Sequence, residues 1–329
     1  MSKNRIFLSA GIAACLLAAL LSLTMGAAAY TIPELLDALA EGTGSTAGRI
    51  FFFSRLPRTV GCLLAGAALA VSGCVIQSVL ANPLASPGII GVNAGAGLGV
   101  TICCALGALS GWAVAGAAFL GALSAVALVV FCAGRTGASR TTVILSGVAV
   151  NALLNGLRDG VTTLVPEVSL MSVDFRVGGF SAVAHTRLIP AGVLILAALA
   201  LLFTMHNELD VMTLGEETAR GLGMNVKQTR NWLLTLAALL AGAAVSFGGL
   251  LGFVGLIVPH GVRKMAGNES RVLLPLSALF GGAFVTLADL AARTLFAPYE
   301  LPVGIFLSVM GGPFFLWLLY RRKGGRAGD

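Results

Sequence analysis

The chain has 329 residues, 57% of them hydrophobic and only 11% charged, with a mean hydropathy of +0.94. Apolar runs near the roughly 20 residues that cross a bilayer as helix recur along it, which excludes a soluble globular domain. A closed barrel is excluded too, because barrel strands alternate over about ten residues and these runs are continuous. The net charge of +7 sorts loop by loop instead of pooling on one soluble domain, so no nucleic-acid partner is expected.

Taken in chain order, Lys3 and Arg5 precede an apolar run over 6–23, followed by Ala27-Ala28-Ala29. That pattern also resembles a secretory signal with a small-residue cleavage site. A retained first span is the expectation, because the chain stays apolar to its end. A polar loop over 31–54 leads to spans at 59–80, 89–109, 112–132, 142–164 and 188–205. A polar run follows, then spans at 232–247, 250–264, 273–292 and 303–320. The predicted fold is an all-α integral membrane protein of ten transmembrane helices, one domain over 1–329, with both termini on one side. The positive-inside rule puts that side in the cytoplasm. Lys3, Arg5, Arg135, Arg140, Arg220, Lys227, Arg230, Arg263, Lys264, Arg271, Arg321, Arg322, Lys323 and Arg326 fall inside, and far fewer basic residues fall outside.

The spans are rich in glycine. Gly61/Ala65, Gly66/Ala70, Gly91/Gly95 and Gly107/Gly111 are small-xxx-small pairs that let helices approach closely. Gly95-Ala96-Gly97-Leu98-Gly99 has no preceding strand and is read as packing, not as a nucleotide site. The six cysteines lie in apolar spans without metal-ligand spacing and are read as small packing residues; no metal site is expected. Asn82-Pro83 and Pro87-Gly88 predict a tight reversal between spans two and three, with Asn82 bonding freed backbone groups.

The run over 205–231 gathers Glu208, Asp210, Glu216, Glu217, Arg220, Lys227 and Arg230, too many charges for lipid. Thr213-Leu214-Gly215-Glu216 has capping-box spacing. Val211, Leu214, Thr218 and Leu222 recur at helical steps, and Gly221 and Gly223 predict a stop. The resulting short helix is acidic in its first turn and carries no aromatic. That favours docking into a soluble partner over lying on lipid.

Within span five, Asn151, Asn155, Arg158 and Thr162 share one helical face. Interhelical hydrogen bonding and the wall of a solute pathway both account for them. Asp289 and Arg293 are spaced for a local ion pair. Arg55, Arg58 and Arg293 fall toward the outer side, where solvated arginines or a carboxylate-bearing partner both fit. No Walker-type phosphate loop exists, so ATP, if used, is bound by another polypeptide.

Residues 53–97, FSRLPRTVGCLLAGAALAVSGCVIQSVLANPLASPGIIGVNAGAG, resemble the N-terminal signature of the permeases of ABC importers for iron-siderophores, haem and cobalamin, the FecCD/BtuC-like type II importers. Residues 249–319 resemble the C-terminal half of that family, and LGEETARGLG its cytoplasmic coupling loop. The resemblance implies a homodimer, or a pair with a close paralogue, two ABC ATPase subunits carrying ATP and Mg, and an extracytoplasmic solute-binding protein. It implies no cofactor on this chain and no catalytic residue. The coupling loop, about 206–231, maps onto Thr213, Leu214, Gly215, Glu216, Glu217, Ala219, Arg220, Leu222 and Gly223. Binding-protein docking maps onto Arg55, Arg58 and Arg293, the pathway onto Asn151 and Asn155, and the cytoplasmic gate onto Ser139, Arg140, Thr141 and Thr142. The chain departs from many members at DFRVGGF, 174–180, where a tryptophan is common, and at Ala81, where a charge is common. The rival class is an ion-coupled secondary transporter using Asp289 and Arg158. A membrane-embedded enzyme and a permease for bare zinc or manganese fit less well.

Overall fold

The computed structural model describes residues 3–26, 31–135 and 139–324; the small-residue stretch at 27–29 lies outside them. Among the described residues the secondary structure is helical. The helices are α1 (Lys3–Thr24), α2 (Ile32–Glu41), α3 (Thr46–Ile50), α4 (Leu56–Val79), α5 (Val92–Ala105), α6 (Gly111–Arg135), α7 (Arg140–Leu164), α8 (Glu167–Met171), α9 (Val173–Val177), α10 (His185–Thr204), α11 (His206–Thr213), α12 (Glu216–Gly221), α13 (Val226–Gly248), α14 (Val254–Ala266), α15 (Ser270–Thr294) and α16 (Val303–Gly324).

Each of the ten spans read from the sequence carries a helix, but the helices differ in kind. Six are long and apolar enough to cross a membrane, counting α4 with the turns before it. α5 and α14 have only 14 and 13 residues, and α7 is long but carries polar residues along its length.

The stretch expected as a polar loop over 31–54 is mostly helical. Thr31 and Glu34 form a capping box at the start of α2, and Pro33 sits in its first turn, where no amide is needed. Hydrogen bonds from the Thr31 backbone and hydroxyl hold the Glu34 carboxylate below its usual range. That bonding is present above the ordinary carboxylate range and is lost as pH falls.

α4 is the axis of the bundle, packed against α13, α14 and α15. Of its apolar window 78% is buried, against 17% for α1. Small residues allow this. A Cβ on Gly66 would run into the Gly281 carbonyl of α15, and one on Gly73 into Gly255 of α14. Backbones at that separation gain dense van der Waals contact, the main source of helix association in lipid. Polar groups on α4 are satisfied across these contacts. Ser72 donates to the Ala237 carbonyl at 2.6 Å and Gln77 to the Gly255 carbonyl at 2.9 Å. Gly95 and Gly99 on α5 meet Gly121 and Ala117 on α6, in keeping with their packing role. The Gly107/Gly111 pair does not pack as a pair. Gly107 is a left-handed turn residue at φ +73° with open space around it, and Gly111 faces the Arg187 guanidinium.

Asn82 accepts from the Leu84 amide at 3.0 Å, and the prolines that follow keep 82–91 out of helix. This reversal is anchored by α7: the Asn151 carboxamide donates to the carbonyls of Gly88 and Ile89 at 2.9 and 3.2 Å.

Candidate functional site

Two clusters of charge sit at opposite ends of the bundle. At one end, α11 and α12 form an elbow before α13. The spacing of Thr213 and Glu216 predicts a capping box, but the Thr213 hydroxyl bonds back to the Asp210 carbonyl at 2.7 Å inside α11. Threonine competes in this way for a nearby carbonyl. Gly215, at φ +107°, makes the turn, and α12 starts without a side-chain cap. The expected stop holds: Gly223 is left-handed at φ +82°, its amide bonds the Arg220 carbonyl, and the Met224 amide bonds Ala219.

Three polar contacts tie this elbow to the bundle. Glu216 accepts from Arg230 of α13 at 2.9 Å, and Arg230 is 3% exposed. Asp210 accepts from the Ser270 amide at 2.9 Å, so α15 takes its N-terminal cap from a residue 60 positions away. Arg140, in the first turn of α7, donates to the Met212 carbonyl at the end of α11. Leu209, Met212 and Ala219 are buried beneath the elbow. Leu214 and Leu222 stand 61% and 64% exposed above it, flanked by exposed Glu217 and Arg220. Glu216 turned inward and leucines turned outward, with Glu217 and Arg220 at their edge, make a largely apolar surface on a braced support.

Ser139, Thr141 and Thr142 open α7 beside this elbow. Ser139 caps the helix, accepting from the Thr142 amide at 3.2 Å, and its hydroxyl meets that of Thr142 at 2.8 Å.

At the opposite end the three arginines are not the outward groups expected. The last turn of a helix leaves carbonyls without intrahelical donors, and two of the arginines satisfy those of α1. Arg55 donates to Leu23 and Thr24 at 2.6 and 2.9 Å, and Arg293 donates to Ser22 at 2.6 Å. Both are about 5% exposed (6% and 5%). Arg58 binds both Asp289 oxygens, at 2.9 and 3.1 Å, and reaches Glu300 at 2.8 Å. The i,i+4 contact expected between Asp289 and Arg293 is present at 3.6 Å, but Asp289 gives its bidentate bond to Arg58. With Asp289 buried between two guanidinium groups, a proton-carrying role for it loses its main support. Arg158 likewise pairs with its neighbour Asp159 at 3.0 Å.

The sequence profile of the FecCD transport family matches residues 14–321. The chain belongs to that family. It is 36% identical over 317 residues to the hemin transport permease of Yersinia pestis, covering 94% of each chain. It is 40% identical to the cobalamin import permease of Halobacterium salinarum, over 90% of this chain and 78% of that one. With the Fe(3+)-citrate import permease of Bacillus subtilis it shares 38% identity, over 92% and 90%. A solved inward-facing ABC transporter of metal-chelate type superposes with a TM-score of 0.86 at 28% identity, covering 95% of this chain and 98% of that one.

This FecCD protein is therefore a multi-pass permease of an ATP-binding cassette importer, a type that works with ATPase and binding-protein partners, and ATP hydrolysis belongs to separate subunits. Ser270 and Glu300 escape sequence reasoning, and Asp210 and Arg230 are read only as charges of the polar run, without their bracing roles. Their partners are distant in the chain or are backbone atoms, which leave no mark on residue spacing. Arg230 carried the clearest signal, as a cation one turn into an apolar helix.

Proposed function

We propose that this permease moves an iron-siderophore or related metal chelate across the cytoplasmic membrane, as ten crossing helices with both termini inside and as one half of a homodimer. The observation that carries the coupling role is the elbow itself: Leu214 and Leu222 exposed at either end of α12, with Arg140 joining its base to the gate. ATPase closure presses on Thr213–Gly223, and the load passes through Met212 to the start of α7, where Ser139, Arg140, Thr141 and Thr142 form the inner gate. Asn155 then faces the pathway between the two copies, while Asn151, its carboxamide bonded to the Gly88 and Ile89 carbonyls, holds the reversal beside that wall. The neutral carboxamide of Asn155 offers hydrogen bonds without a charge that would trap a bulky solute.

On the outer side, Arg58 takes the binding protein's carboxylate, since its Nη1 is bonded to the half-exposed Glu300 and not to a buried group. Arg55 and Arg293 hold α1 behind it. The named substrates of the ferric citrate relative and of a probable siderophore permease of Bacillus subtilis, 36% identical over 86% of this chain, support an iron chelate. Haem is the second reading, favoured by the even coverage of the Yersinia relative.

Co-purification of the cognate binding protein, with mass spectrometry of what it carries, tests the substrate; a bare metal ion there would remove the chelate reading. Leu214→Glu with Leu222→Glu tests the elbow. Loss of ATPase co-purification with the permease still folded is expected, and full assembly with coupled uptake would rule the elbow out.

A further inference from the structure

α1 and α15 touch closely at mid-height and part toward the elbow end. A Cβ on Gly11 would lie 3.2 Å from Leu279, and the Cys15 thiol donates to the Leu279 carbonyl at 2.9 Å. Nearer their N-termini a cavity of about 390 Å³ opens between them, lined by Asn4, Arg5, Leu8, Glu269, Arg271, Val272, Pro275 and Leu276. Its lining is graded. Arg5, Arg271, Glu269 and Asn4 stand at the rim, within one turn of each helix start, with Val272 beside them, and Leu8, Pro275 and Leu276 lie a turn deeper. The cavity lies at the height of the elbow, because the Ser270 amide next to Arg271 is bonded to Asp210.

Neither arginine has a charged partner within the described residues. Both are exposed, as is Glu269. Pro275 also removes the amide that would bond the Arg271 carbonyl, leaving an acceptor at the rim. Two guanidinium groups, a free carbonyl and an apolar slot below match a single kind of molecule. We propose that this groove binds an anionic phosphoglyceride of the surrounding membrane. Its phosphodiester sits between Arg5 and Arg271, a headgroup hydroxyl donates to the Arg271 carbonyl, and an acyl chain lies along Leu8 and Leu276. Basic pockets between membrane helices recognise such headgroups, and guanidinium groups suit phosphate oxygens. Glu269 is the opposing charge. It limits affinity and disfavours carriage of a second negative group.

The test is native mass spectrometry of the full-length permease in detergent, titrated with phosphatidylglycerol and, separately, with phosphatidylethanolamine. The intact chain is expected to retain one phosphatidylglycerol about tenfold more tightly than phosphatidylethanolamine. Arg5→Gln with Arg271→Gln abolishes that preference, and Glu269→Gln enhances it about threefold. Opposite effects from exposed residues of one groove separate binding from misfolding, since a folding defect cannot tighten a complex. The proposal fails if the double arginine variant keeps the preference, or if Glu269→Gln weakens it. It also fails if glycerol 3-phosphate displaces the lipid, because that assigns the arginines to a free anion and leaves the acyl slot without a role.

Discussion

The two ends of the bundle use charge in opposite ways. At the elbow, Glu216, Asp210 and Arg140 are used in bracing, and the surface left for a partner is two leucines flanked by exposed Glu217 and Arg220. At the other end, Arg58, Arg293, Asp289 and Glu300 form a nearly closed cluster in which two cations meet two anions. A partner at the elbow can land on apolar surface without breaking any bond. A partner at the cluster has to trade one carboxylate for another. The first arrangement suits a permanently assembled ATPase, and the second suits a binding protein that must come and go.

The largest effect expected from disturbing this contrast is at Asp289. The side chain is 1% exposed and faces both Arg58 and Arg293. Asp289→Asn leaves the buried Arg293 guanidinium without a countercharge and Arg58 with Glu300 alone, and breaking a buried pair from one side costs about 3–5 kcal/mol. Thermal unfolding in detergent should show a clear fall in midpoint. An unchanged midpoint would mean that the arginines find other partners and that the cluster does not hold α4, α15 and α1 together.

A smaller effect is expected at the elbow. Arg140→Met removes the only described side-chain bond between the first turn of α7 and the end of α11. ATP hydrolysis by the assembled transporter should persist while solute uptake per ATP falls by about tenfold, equivalent to about 1.4 kcal/mol of lost coupling. Reconstituted vesicles with both partners report both quantities. Parallel loss of hydrolysis and uptake would place Arg140 in assembly instead of in transmission.

Why some of this was legible in the chain and some was not follows from the kind of partner each residue has. The stretches that carry the six membrane-length helices announce themselves because lipid imposes a length and excludes charge. Gly66 and Gly95 are readable as contact points because only small residues let helices approach that closely. Gly107 misleads, since a glycine that makes a turn looks the same in sequence as one that packs. The Thr213–Glu216 spacing misleads for a similar reason: Gly215 breaks the chain direction between the two residues, and the threonine turns back to Asp210. Arg55 and Arg293 read as outward groups because their acceptors are the last carbonyls of α1, and no residue type marks a bare carbonyl. The helical α2 was hidden by its acidic composition, although the box formed by Thr31 and Glu34 was present to be read.

The smallest effect is the one that bears most directly on the trade at the outer end. Glu300 sits on the exposed stretch after α15, and its side chain is 41% exposed while it holds Arg58 at 2.8 Å. An ion pair that open contributes about 0.3–1 kcal/mol, and a docking carboxylate must give up that much to take its place. Glu300→Gln should therefore tighten binding-protein docking by about two- to fivefold in surface plasmon resonance on the reconstituted permease, with little change in thermal stability. Arg58→Glu should abolish docking in the same assay. If Glu300→Gln weakens docking, the glutamate orients Arg58 for its partner instead of competing with it. The cluster would then be a preassembled half-site and not a contact that has to be exchanged.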